Sequence, residues 1–283
     1  MSLNDPAWLD RMYNNRALVP EFAQHLQRWQ ADSARARRER ACELDIAYGP
    51  SAGETLDVFA ARRPGAPVAV FIHGGYWRSL DKADHSFVAP ALLDAGATVV
   101  VPNYSLCPAV SIADITVQMV RALAWTWRNA ARFNGDASRI TVIGHSAGGH
   151  LAAMMLVCQW KAFDAGLPTQ VVKNALSISG LYDLEPLSRT PFVMGDLRLS
   201  PQDILRASPA FLSAPRKGVL YTVAGGAESE EFLRHNHLIR QAWGAKAVPV
   251  CEALPGLNHF SVVEALVEPG SRLNALARQL LAA

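Results

Sequence analysis

From about residue 43 onward, short apolar runs rich in β-branched residues alternate with longer segments whose apolar residues recur at helical spacing. "LDIAYG" and "TLDVFAA" read as two strands joined through "PSAGE", a hairpin-like opening. "PVAVFIHGG", "TVVVPNYS", "RITVIGHS", "VKNALSISG", "KGVLYTVAGG" and "AKAVPVCEALPG" read as further strands. Between them, "ADHSFVAPALLDAG", "IADITVQMVRALAWTWRNAA", "AGGHLAAMMLVCQW" and "ESEEFLRHNHLIRQAWG" read as helices, and "SVVEALVE" with "RLNALARQLLA" closes the chain helically. Near-continuous apolar strands alternating with helices predict a mostly parallel sheet covered on both faces, with an antiparallel start. Residues 18–41 predict an N-terminal helix with one basic run, "ARARRER", read as a solvated face. Residues 181–215 break the rhythm with several prolines and short apolar groups. They predict a small irregular insertion over the sheet, so that 1–283 forms a single domain with a helical segment at 1–42.

Composition narrows the function. Half of the 283 residues are hydrophobic and 18% are charged, ordinary for a chain with a substantial core. A net charge of +2, from 27 Lys and Arg against 25 Asp and Glu, is too small to argue for nucleic acid or a membrane surface as partner. Cys42, Cys107, Cys158 and Cys251 are far apart without CxxC spacing. They read as reduced thiols in a cytoplasmic protein. The start of the chain lacks a continuous apolar stretch of the kind a secretory signal needs, and no run is long enough to span a bilayer.

Ligands of open α/β sheets sit at the carboxyl ends of strands, so side chains there carry the chemistry. Gly144-His145-Ser146-Ala147-Gly148 stands between a predicted strand and a predicted helix. This is the context in which a GxSxG turn presents a nucleophilic serine. The Ala147 amide, at the helix start, can then donate to an oxyanion. Serine needs a base. Of eight histidines, His259 lies in the loop after the last strand, where a base that follows serine and acid in chain order belongs. His145 and His150 read as packing or capping groups of the elbow, and His235 and His237 as helix-surface residues. "HNH" at 235–237 is weak as a metal site, because i and i+2 diverge on a helix. The acid should follow the penultimate strand. Glu228 is nearest its end, Glu230 and Glu231 read as first-turn helix acids, and Asp183 is a reserve.

In "HGGYW", after the third predicted strand, the amides of Gly74 and Gly75 are expected as oxyanion donors, with the Tyr76 amide a further candidate, and His73 is expected to brace the loop. Tyr76 and Trp77 are expected at the mouth of the site as substrate contacts. Tyr104, Tyr182 and Phe192 are weaker candidates for an aromatic pocket, each more simply read as packing.

"AYGPSAGETLDVF", "FIHGGYWRS", "GHSAGGHLAAMML", "SGLYDLEPL", Ser208-Pro209, "GGAESEEF" and "NHFSVVE" run in order from about residue 43 to 265. In these segments the chain resembles the arylformamidases (kynurenine formamidases) of the α/β-hydrolase superfamily, within a wider esterase and lipase group. The resemblance implies an α/β-hydrolase fold, Ser146 as nucleophile, His259 as base, and Glu228 at the acid position, where family members commonly carry Asp. It also implies hydrolysis of an N-formyl aryl amide, N-formylkynurenine being the family's substrate, without metal or organic cofactor. An esterase or thioesterase acting on small acyl groups, or a non-catalytic binding protein of the same fold, are the alternatives. The expected partner is a small aromatic formamide or ester. A homodimer is allowed for.

Overall fold

In the computed structural model, which describes residues 5–283, the β-branched runs pair into one eight-stranded sheet. Three helices precede it, α1 (Pro6–Tyr13), α2 (Asn15–Leu18) and α3 (Phe22–Glu39). The strands are β1 (Cys42–Ala47), β2 (Thr55–Phe59), β3 (Ala66–Ile72), β4 (Thr98–Pro102), β5 (Gly135–His145), β6 (Val172–Ile178), β7 (Leu220–Gly225) and β8 (Val250–Leu254). Their spatial order is β1-β2-β4-β3-β5-β6-β7-β8, and only β2 runs against the rest. The remaining helices are α4 (Ala89–Asp94), α5 (Ile112–Asn129), α6 (Ala147–Leu156), α7 (Trp160–Phe163), α8 (Pro191–Leu197), α9 (Pro201–Ala207), α10 (Glu230–Ala247), α11 (Ser261–Glu264) and α12 (Arg272–Ala282).

Successive side chains of a strand point to opposite faces. In β3, Val68, Val70 and Ile72 pack with α5 and α6, while Ala69 and Phe71 pack with α4 and α12. Both faces are buried, so the central strands carry no polar alternation. That is the pattern from which a covered parallel sheet was expected.

Three local differences have backbone causes. The expected helix over 18–41 begins only at Phe22, because the chain turns at Pro20 and Glu21. The α1–α2 pair lies before it. The segment 83–96 forms two 3₁₀ turns before α4, whose first turn holds Pro90. In 181–215, Pro186, Pro191, Pro201 and Pro209 each open a helical turn, where a missing N–H costs no intrahelical bond. Among the described residues no helix is long and apolar enough to cross a membrane.

Candidate active site

Ser146 sits at the end of the central strand β5, on the turn into α6. Its backbone is left-handed, with φ 58° and ψ −117°. A non-glycine residue in such a sparsely populated region costs on the order of 1–3 kcal/mol and persists where surroundings enforce it. Here the Ser146 N–H donates to the Ile178 carbonyl at 2.8 Å, and the Ser146 carbonyl accepts from His150 N–H at 3.1 Å. Close approach of α6 to β3 dictates Gly148, since a Cβ there would lie 2.0 Å from the Ile72 carbonyl oxygen.

His259 lies in the loop between β8 and α11. Its Nδ1–H donates to Glu228 Oε2 at 2.6 Å. The Glu228 carboxylate is fully buried, and its other oxygen accepts from Gly225 N–H at 2.7 Å and from the Ser179 hydroxyl. The backbone of His259 is held in turn by His145, whose Nε2–H donates to the His259 carbonyl at 2.9 Å. Burial, reinforced by the neighbouring His259, pushes the His145 pKa far below its ordinary value, so this second imidazole stays neutral. Ser146 and His259 line one cavity of about 600 Å³. No direct hydrogen bond joins them. Such contacts are often long before substrate tightens the site.

The other carboxylates are engaged elsewhere. Glu231 binds Arg234 and the Tyr13 hydroxyl, and Asp183 caps Glu185 N–H and faces Arg234. Glu230 is exposed. Cys107 lines the cavity, but burial pushes its thiol up to about 11, leaving it protonated and a poor nucleophile.

The HGGYW loop crosses beside the elbow. A Cβ on Gly74 would lie 3.1 Å from Ser146 Cβ, which puts this backbone against the serine. Gly75 has φ 102°, and a Cβ there would come within 2.1 Å of the Ser79 carbonyl oxygen. Among the described residues no protein acceptor takes the amides of Gly75 or Ala147. His73 braces the loop from below, its ring 4.2 Å from that of Tyr104 and its Nδ1 2.8 Å from the Gly74 carbonyl.

Tyr76 lines the cavity, edge-on to Phe192, with its hydroxyl donating to the Tyr13 carbonyl at 2.6 Å. Trp77 does not line it. It is fully buried in the core beneath, edge-on to His150 at 5.0 Å. The expectation of Trp77 as a substrate contact is therefore corrected. Both residues have left-handed backbone, φ 50° and 55°. Trp77→Ala is accordingly expected to lower unfolding free energy by about 3–5 kcal/mol in denaturant titrations. A raised KM with unchanged stability would contradict this placement.

Tyr104 and Tyr182 are packing residues, the latter bonded to Ser177 and Thr222. His235, expected on a helix surface, is fully buried, held by the Tyr13 hydroxyl at 2.9 Å and the Tyr182 N–H at 3.0 Å. His150 is buried against the Ala207 carbonyl, and burial lowers its pKa to about 4. Two contributions went unread in the sequence. Ser179 clamps Glu228, and the N-terminal segment supplies Asn14, Asn15, Arg16, Leu26 and Trp29 to the cavity wall. Among the described residues no group of three His, Cys, Asp or Glu side chains is arranged to hold a metal ion.

A serine on a strand–helix elbow at the centre of this sheet, with a histidine–carboxylate pair from later loops, defines an α/β-hydrolase. Solved structures share the fold. One is a thioesterase candidate from Silicibacter sp., 30% identical, TM-score 0.84, covering 97% of this chain and 99% of the other. A second is a hyperthermophilic esterase from Pyrobaculum calidifontis, 21% identical, TM-score 0.67, covering 92% and 90%. A family model described as BD-FAE matches residues 56–195. The kynurenine formamidase of Danio rerio is 30% identical over 266 residues, 91% of this chain and 88% of that protein. The chain belongs to the kynurenine formamidase family.

Proposed function

We propose that the protein hydrolyses an N-formyl aryl amide, N-formylkynurenine or a close analogue, to formate and a free aromatic amine. The reading rests on one observation above all. Ser146 and His259, the latter bonded from behind by the buried Glu228, line one cavity in a chain similar to a kynurenine formamidase over nine-tenths of its length.

In this reading Ser146 Oγ attacks the formyl carbon while His259 Nε2 takes the hydroxyl proton. The buried Glu228 carboxylate fixes the tautomer with Nδ1 protonated and stabilises the imidazolium that forms. The amides of Gly74, Gly75 and Ala147 hold the oxyanion; removing one such donor typically costs about 10²–10³ in kcat. Collapse breaks the C–N bond, and His259 returns the proton to the departing amine nitrogen. Water, activated by the same imidazole, then attacks the formyl ester and releases formate with Ser146 restored. The chemistry is complete without a metal or organic cofactor. A cytoplasmic location belongs to the same reading, because all four thiols are free.

The similarity to a thioesterase candidate supports a second reading, in which the same groups cleave a small ester or thioester. Purified protein should be compared on N-formylkynurenine and on short p-nitrophenyl esters. The expected result is a higher kcat/KM on the formamide, with stoichiometric formate release. Efficient ester cleavage with negligible formamide turnover would replace the first reading by the second. A non-catalytic role would require Ser146 to be inert towards a fluorophosphonate probe.

A further inference from the structure

The cavity wall contributed by the N-terminal segment holds an amide with nothing to bond. Asn15, in the first turn of α2, is only 5% exposed, and its Nδ2 meets no acceptor among the described residues. It nevertheless lines the cavity that contains Ser146 and His259. Burying an amide donor without a partner is unfavourable, and such a group persists where something else completes it. Its position is fixed from three sides. Asn14 caps α2 through Ala17 N–H, the Tyr13 hydroxyl is held by Glu231 and His235, and the Tyr13 carbonyl receives the Tyr76 hydroxyl.

The charge beside it is equally specific. Arg16, Arg78 and Asp196 are the Arg, Lys, Asp and Glu side chains that line this cavity. Arg78 and Asp196 form an ion pair with each other. Arg16 faces no carboxylate among the described residues and instead lies over the Phe22 ring, 5.7 Å from its centroid. One unpaired cation next to one unpaired amide donor matches a group with one negative charge and two acceptor oxygens. A doubly charged phosphate would ask for more donors than this wall offers.

We propose that Asn15 and Arg16 form a subsite for a carboxylate on the leaving-group portion of the substrate. The inference rests on the formamide reading above. A formyl group occupies little of a cavity of about 600 Å³, so the remaining space falls to the amine half. Asn15 donates to one carboxylate oxygen, and Arg16 supplies the opposing charge at the rim.

The test measures kcat and KM on two substrate pairs. One pair is N-formylkynurenine and formanilide, and the other is 3-(4-acetoxyphenyl)propionate and phenyl acetate. In each pair only the first member carries a carboxylate. Wild type should favour the carboxylate-bearing member, and Asn15→Ala and Arg16→Gln should each shrink that preference about tenfold, through KM. Arg16→Lys should retain most of it. Equal losses on both members of a pair, or an unchanged preference, would overturn the subsite. If Asn15→Ala does not fold, the exposed Arg16 carries the same test. Preference seen only in the ester pair, with both formamides inert, would refute the formamide reading and leave the subsite standing. Formamide turnover blind to the carboxylate would do the reverse.

Discussion

Ser146→Ala is expected to lower kcat by about a millionfold, the loss typical when the nucleophile of a serine triad is removed, with KM changed far less. The substitution deletes one oxygen. It leaves the cavity, the His259–Glu228 pair and the loop amides in place, so substrate still binds. The backbone strain at φ 58° is the same for alanine as for serine, and the Ser146 N–H bond to Ile178 does not involve the side chain. The melting temperature should therefore match that of wild type, and labelling by a fluorophosphonate should vanish. Retention of more than a few per cent of activity in a correctly folded variant would mean that another group performs the attack. Cys107 is the obvious alternative in the cavity, and its raised pKa argues against it.

What could be read in the sequence was local. The β-branched runs, the strand–Gly-His-Ser-Ala-Gly–helix order and the prolines of 181–215 act within a few residues of themselves, and the α/β-hydrolase fold followed from them. The directions of Trp77 and His235 did not. Each depends on what packs against it from distant segments, His150 for Trp77, and Tyr13 and Tyr182 for His235. Ser179 was invisible for the same reason. It reaches Glu228 only because β6 and β7 are neighbours in register, with Ser177 opposite Thr222. The N-terminal segment looked like a helix with a solvated face, because amphipathic spacing shows that a face is buried but not against what. Asn15 is a polar residue in a short turn, and only the folded chain shows that it is enclosed beside the cavity without a partner.

The position of Glu228 carries the second large effect. Glu228→Gln should lower kcat by about 10³–10⁴ while leaving the fold intact, comparable to the loss when a triad carboxylate becomes an amide. The cause lies in how the carboxylate is divided. Oε1 accepts from Gly225 N–H and from the Ser179 hydroxyl, so a glutamine must keep its carbonyl oxygen there. Its NH₂ group then faces His259 Nδ1, 2.6 Å from the present Oε2. Two donors cannot share that contact, so the imidazole gives up its Nδ1 proton and carries it on Nε2 instead. In that tautomer the nitrogen facing the cavity has no lone pair for the Ser146 proton. Ser179→Ala in the same background should not restore the rate, because the Gly225 N–H still requires a carbonyl oxygen at the Oε1 position and so keeps the NH₂ group turned to His259. Activity of Glu228→Gln within tenfold of wild type, measured beside an unchanged thermal melt, would show that His259 takes its orientation from something other than this carboxylate. The His145 contact to the His259 carbonyl would then be the group to examine, because it is the other bond that fixes this residue in place.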